Sequence, residues 1–259
     1  MNCYFDTHCH LDFKEFDEGR GALITKWKAL GVKKFVVPAT SYSALAGLEE
    51  LADKYEGVYI GAGIHPFFVN EESLRDVDRL GAYLQCSPSV DLVALGEMGL
   101  DKFCGVDYEL QKEVLSKQLR YAKVFNLPGI LHCRKGYSDL LRLLDFHDVR
   151  SGVVHGFTGS YEIACEFMKR GFLIGLGGAV TWGNASKVRN MVSRLGIDSI
   201  VFETDSPDMS PEWLKGQCNT PESVIHVGKY VAELLGIEES TVAMKVYRNS
   251  CDLFGLETD

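Results

Sequence analysis

In the stretch Leu92-Val93-Ala94-Leu95-Gly96-Glu97-Met98-Gly99-Leu100-Asp101, four consecutive apolar residues run into a Gly-Glu pair and a second glycine. A strand with one wet face alternates apolar and polar residues. An uninterrupted apolar run suits a strand buried on both faces, as in a parallel sheet covered by helices. The carboxylate that follows is an expensive group to bury unless a positive charge meets it. The stretch therefore reads as a core strand, Leu92 to Gly96, that delivers Glu97 just beyond its carboxyl end.

Seven further runs have the same character: Cys3 to Thr7, Lys34 to Ala39, Val58 to Gly63, Gly129 to His132, Gly152 to His155, Phe172 to Gly175 and Ile200 to Glu203. Between them apolar residues recur at helical spacing. Leu110, Val114, Leu115, Leu119, Ala122 and Phe125 form one broad face behind an Asp107 N-cap, and Gly31, Gly171 and Gly196 mark helix ends. Eight strand-helix units in a chain of 259 residues predict an α/β fold, a closed (β/α)₈ TIM barrel. No repeat, charge block or Pro/Ser-rich linker divides the chain, so residues 1–259 are expected to form a single domain.

Composition narrows the function. With 27 Lys+Arg against 36 Asp+Glu the formal charge is −9, which argues against coating duplex DNA with a basic surface but leaves room for nucleic acid at a local site. The start, Met1-Asn2-Cys3-Tyr4-Phe5-Asp6, lacks the basic and apolar segments of a signal peptide, and no apolar run approaches the ~20 residues that span a bilayer. The eight Cys form no C-x-x-C pair and read as reduced thiols. A soluble, cytoplasmic protein without a membrane segment or an obligate protein partner is expected.

Polar residues gather where the strands end: Asp6 to His10, His65, Glu97, His132 to Arg134, His155 and Glu203 to Asp205. In a barrel these positions share one rim. His8 and His10 stand at i and i+2 of an extended segment, so both imidazoles face one side and can share an ion. For Glu97 the alternatives are a divalent cation or a salt bridge to Lys102 or Arg134. His132 and His155, on adjacent strands, read as ligands rather than as core histidines. Asp205, before Ser206-Pro207, reads as a turn former or cap whose turn would aim the carboxylate inward. Asp6 and Glu203 read as supports behind the ligands. His65 is placed to touch substrate, whereas His147 in a polar loop and His226 in a late helix look structural. The Arg134 fork suits phosphate oxygens or a salt bridge equally. Gly175-Leu176-Gly177-Gly178 lacks the Gly-Lys-Ser/Thr ending of a phosphate loop and reads as a flexible rim.

Asp6-Thr7-His8-Cys9-His10-Leu11-Asp12, Gly63-Ile64-His65-Pro66, Gly96-Glu97-Met98-Gly99-Leu100-Asp101, Leu131-His132-Cys133-Arg134, His155-Gly156-Phe157-Thr158-Gly159-Ser160 and Glu203-Thr204-Asp205-Ser206-Pro207 together resemble the TatD family of metal-dependent hydrolases. Val153 to Phe157 and Gly175 to Gly178 look closest to its bacterial YjjV-like subgroup. The resemblance implies an amidohydrolase-like TIM barrel with deoxyribonuclease-like activity and two divalent metal ions, of which Zn, Mn, Fe or Ni suit imidazole-rich ligation better than Mg. It implies that His8 and His10 bind one ion and His132 and His155 the other. Glu97 bridges them, and Asp205 binds the first ion and assists proton transfer. His65 would contact a substrate phosphate. Two departures fall on the substrate side: Cys218-Asn219-Thr220-Pro221 stands where the family often has Arg-Asn-x-Pro, and Lys135 where it often has an acidic residue.

The leading expectation is a metal-dependent 3′-to-5′ deoxyribonuclease acting on single-stranded or frayed DNA, with Glu97 and Asp205 catalytic. A metal-dependent ester or amide hydrolase, such as an aminoacyl-tRNA deacylase, keeps the ions and changes the bond. A non-catalytic metal-binding scaffold would close its site and leave no coordination position for water or substrate.

Overall fold

The computed structural model describes residues 2–86 and 88–258. Eight parallel strands follow one another in sequence order: β1 (Tyr4–Asp6), β2 (Val32–Pro38), β3 (Val58–Ala62), β4 (Leu92–Asp101), β5 (Gly129–Arg134), β6 (Gly152–Val154), β7 (Phe172–Leu176) and β8 (Ile200–Phe202). The helices between them are α1 (Arg20–Leu30), α2 (Leu45–Lys54), α3 (Ser73–Gln85), α4 (Tyr108–Phe125), α5 (Tyr137–His147), α6 (Tyr161–Met168) and α7 (Ser186–Leu195), with α8 (Ser223–Leu235) and α9 (Glu239–Phe254) after the last strand. The ring closes where the Thr7 N–H donates to the Phe202 carbonyl at 3.0 Å and the Asp205 N–H to the His8 carbonyl at 2.8 Å. The expected TIM barrel is thus present, with all eight strands at the expected places.

Strand alternation sorts the core into two shells. Phe35 and Val37 point outward to the helices, while Val36 points inward and meets Phe5, Val93, Ile130, Val153 and Val201. Tyr247, Cys251 and Phe254 of α9 close this inner cluster at the amino-terminal end of the barrel. Each large apolar side chain so buried contributes about 2 kcal/mol relative to leaving it in water. The plugged lower end leaves the opposite rim as the place where inward positions turn polar, as at His132 two residues after Ile130. The α4 cap is as expected, with the Leu110 N–H donating to Asp107 Oδ1 at 2.8 Å.

Three expectations are corrected. β4 does not stop at Gly96 but runs to Asp101, with its register against β5 slipping between Leu95 and Met98. Glu97 therefore projects from within a strand rather than from the loop after it. The glycines there serve close backbone approach: a Cβ on Gly99 would lie 1.9 Å from the His132 carbonyl oxygen. His147 ends α5 instead of lying in a loop, and its Nε2 is 2.6 Å from Ser116 Oγ. The Gly175 to Gly178 segment is packed rather than flexible. Gly175 and Leu176 belong to β7, and a Cβ on Gly178 would come within 2.7 Å of the Pro211 nitrogen.

Candidate metal centre

Glu97, only 3% exposed, stands at the middle of the rim cluster. Its Oε2 is 3.3 Å from His8 Nε2 and 3.9 Å from His10 Nε2, and its Oε1 is 2.8 Å from His155 Nε2, 3.1 Å from His132 Nδ1 and 3.2 Å from His65 Nε2. One carboxylate thus divides its two oxygens between two sets of imidazoles. Asp205 Oδ1 approaches the first set, 3.4 Å from His8 Nε2 and 3.3 Å from His10 Nε2. All six residues expected as ligands meet here, and His65 joins them. Neither cation weighed as a salt-bridge partner reaches Glu97: Lys102 turns to Asp139 at 3.9 Å and Arg134 to Asp101 at 3.5 Å.

The backbone places these groups for local reasons. Asp205 has a φ of 56°, a left-handed conformation that aspartate tolerates better than most residues, and this turn aims its carboxylate back over the rim. Asp6 holds the two neighbouring turns together, accepting the His8 N–H at 3.3 Å and the Thr204 N–H at 2.9 Å on Oδ1 and the Thr204 hydroxyl at 2.6 Å on Oδ2. Buried Asn219 braces the same loop by donating to the Thr204 and Asp208 carbonyls at 2.9 and 3.0 Å. Glu203 Oε1 accepts the Gly156 N–H at 2.5 Å, tying β8 to the turn after His155.

Asp101 is a member of the site that the sequence reading quoted but gave no role. Fully buried at the end of β4, its Oδ2 lies 3.1 Å from His132 Nε2. An ionised carboxylate only accepts, so it takes the Nε2–H and leaves the His132 Nδ1 lone pair facing Glu97 and His155. His65 is fixed in the opposite sense, because its Nδ1 accepts the Phe67 N–H at 3.1 Å and its Nε2–H then points inward to Glu97 Oε1 at 3.2 Å.

Burial and mutual contact move these groups away from their ordinary values. Burial and the neighbouring His155 push His8 down to about 4. Burial also opposes a charged His155, but Glu97 outweighs it and brings His155 up to about 10. Burial would raise Glu97, yet the surrounding imidazoles hold it well below the usual carboxylate range. Burial pushes Glu203 up to about 7. His8 Nε2 is buried with no hydrogen-bond partner, although Glu97 and Asp205 oxygens lie within 3.4 Å of it. An imidazole nitrogen facing carboxylate oxygens without a shared proton fits a cation held by both. Three donor sets with ligand atoms within 4.8 Å of one another, His8/His155/Asp205, His8/His10/Glu97 and His65/Glu97/His132, are suited to binding metal.

The centre opens on a cavity of about 690 Å³ whose walls include Phe13, Phe67, Phe68, Arg134, Tyr137 and Lys187. Arg134 is 55% exposed, so its guanidinium reaches this cavity while paired with Asp101.

The profile of a family described as TatD related DNase matches residues 5–255. The chain belongs to the TatD family. Among TatD relatives it is 38% identical over 260 residues to "Uncharacterized metal-dependent hydrolase YjjV" of Escherichia coli K12, covering 99% of this chain and 100% of that one. It is 33% identical to "Uncharacterized metal-dependent hydrolase YabD" of Bacillus subtilis 168, covering 96% and 98%. The crystal structure of the E. coli K12 YjjV protein, a TatD homologue, superposes with a TM-score of 0.93 at 37% identity over 98% of each chain. A TatD family hydrolase from Entamoeba histolytica shares the fold, with a TM-score of 0.85 at 20% identity over 98% of each chain. Among the described residues no helix is long and apolar enough to cross a membrane.

Proposed function

We propose that this TatD-family chain is a metal-dependent hydrolase that cleaves phosphodiester bonds at the 3′ ends of single-stranded or frayed DNA, using a pair of divalent ions. The division of the Glu97 carboxylate between two imidazole sets carries the reading. His8 and His10 would hold one ion with Asp205, His132 and His155 the other, and Glu97 would bridge. When bound, the ions supply positive charge for the attacked phosphate and make water a better nucleophile near neutral pH.

The chain's own residues account for the rest. Asp205 is kept ionised by His10 and His8 despite its burial, and at 17% side-chain exposure it reaches the cavity, so it can accept a proton from attacking water. Arg134 at the mouth offers a planar fork to phosphate oxygens, and His65 presents Nε2 beside Glu97. Opening onto so large a cavity favours turnover over a closed scaffold.

The test uses metal-analysed protein and a panel of single-stranded oligonucleotide, duplex and aminoacyl ester. Native protein should degrade the single strand from its 3′ end, lose that activity with chelator and regain it with added metal. Glu97→Gln and Asp205→Asn should lower turnover at least a thousandfold with circular dichroism unchanged. Hydrolysis of the ester alone would reject the phosphodiester assignment, and full activity in both variants would reject the centre.

A further inference from the structure

Beside the main cavity lies a second, shallower groove of about 520 Å³ whose walls include Trp182, Asn184, Ala185, Lys187, Val188 and Met209. Thr158, Lys187 and Met209 line both spaces, so the groove is a side branch of the candidate active site rather than an isolated dent. It lies between the loops after β7 and β8 and the start of α7, with Thr158 from the loop after β6.

Its aromatic wall is held in place. The Trp182 indole N–H donates to the Ser210 carbonyl at 3.0 Å, which pins the half-buried ring against the loop after β8. Arg189 donates to the Trp182 carbonyl at 2.6 Å, the Gly183 carbonyl at 2.9 Å and the Val180 carbonyl at 3.3 Å, so the backbone carrying the ring is clamped as well. A ring so restrained loses little freedom when a ligand covers it. The surroundings combine the Trp182 ring, with Lys215 Nζ 5.8 Å from its centroid, aliphatic side chains of Ala185 and Val188, a polarizable Met209, an exposed amide at Asn184 and a cation at Lys187, which also lines the main cavity.

That set matches a heteroaromatic ring with a polar edge and an attached anion. We infer that the groove is a nucleobase subsite: the base of a nucleotide flanking the scissile phosphate stacks on Trp182, presents its edge to Asn184 and leaves its phosphate beside Lys187. The inference rests on the phosphodiesterase reading and adds to it a base-contacting residue. Stacking needs an unpaired base, so this subsite selects strand ends that are single-stranded or frayed. Such a contact is tolerant of base identity, since every base offers a π-face.

The experiment compares tetrathymidylate with tetramers carrying one abasic residue at each position in turn. Native protein should show a KM about tenfold higher when the abasic residue falls at the contacting position, with kcat within twofold. Trp182→Ala should reproduce that rise on the intact tetramer and add nothing on the abasic one, and Trp182→Phe should restore most of the affinity. Equal KM values for native protein across all the tetramers would overturn the subsite, as would a Trp182→Ala loss of the same size on intact and abasic substrate. Without metal, 5′-thymidylate should quench native tryptophan fluorescence but not that of Trp182→Phe, which retains Trp27 and Trp213. Quenching without any oligonucleotide cleavage would sink the phosphodiesterase reading and leave the groove as a base site. Cleavage with neither quenching nor a position-dependent KM would sink the groove alone.

Discussion

Replacing Asp101 with Asn tests whether a residue that touches no substrate sets the metal affinity of this centre. In the native chain Asp101 Oδ2 lies 3.1 Å from His132 Nε2, and Oδ1 accepts the Phe103 N–H at 2.7 Å. Asparagine is nearly isosteric and keeps an oxygen for Phe103. Its amide NH₂ then faces His132 and cannot accept a proton. The imidazole must carry its hydrogen on Nδ1 instead, which removes the lone pair now directed toward Glu97 and His155. Loss of such a carboxylate partner costs 10- to 100-fold in metal affinity, or about 1.4–2.7 kcal/mol. Calorimetric titration of metal-free protein should show this weakening, and raised metal concentration should restore most of the activity. Asp101→Glu, which keeps an acceptor, should recover part of the affinity. Metal affinity equal to native in Asp101→Asn would refute the role assigned to the pair. So would a loss that saturating metal leaves unchanged.

Three further outcomes follow from the packing. Gly99→Ala puts a Cβ 1.9 Å from the His132 carbonyl and should cost about 3 kcal/mol, read from the denaturant midpoint; an unchanged midpoint contradicts the close approach of β4 and β5. Burial raises Glu203 from 4.5 to about 7, so its contribution to stability is complete below pH 4.5 and is lost as pH climbs through 7, by about 3 kcal/mol in all. Melting of metal-free protein should therefore show Glu203→Gln gaining on the native chain between pH 5 and 8, and a constant difference would contradict a buried protonated carboxyl. Burial likewise pushes the Cys133 thiol up to about 12, and Cys9 and Cys251 are buried, whereas Cys86 and Cys218 are exposed. At pH 8 a thiol reagent mapped by mass spectrometry should label Cys86 and Cys218 in the folded protein and the three buried thiols only after denaturation.

The barrel was legible because its signals are local. Phe35-Val36-Val37 and Leu92 to Leu95 announce strands buried on both faces within a few residues, and Asp107 announces the start of α4. That these side chains would meet was legible because each member of the candidate site follows an apolar run on one rim. What stayed hidden depends on neighbours distant in sequence. Gly96 and Gly99 look like strand breakers until β5 lies alongside, when they become the residues that let two backbones approach. The partnership of Asp101 with His132 spans 31 residues and leaves no spacing rule behind. Gly177 and Gly178 resemble a mobile loop because nothing local reveals Glu203 packed on the first and the Pro211 segment on the second.

The seam where the barrel closes joins the two ends of this arrangement. His8 follows the first strand and Asp205 the last, and the His8 carbonyl accepts the Asp205 N–H directly. During synthesis, a ribosome that has released only the first seven strands has made the five rim imidazoles and Glu97 without the aspartate that meets them. In chain order the cluster around Glu97 is therefore complete only when the eighth strand and the turn that carries Asp205 are in place.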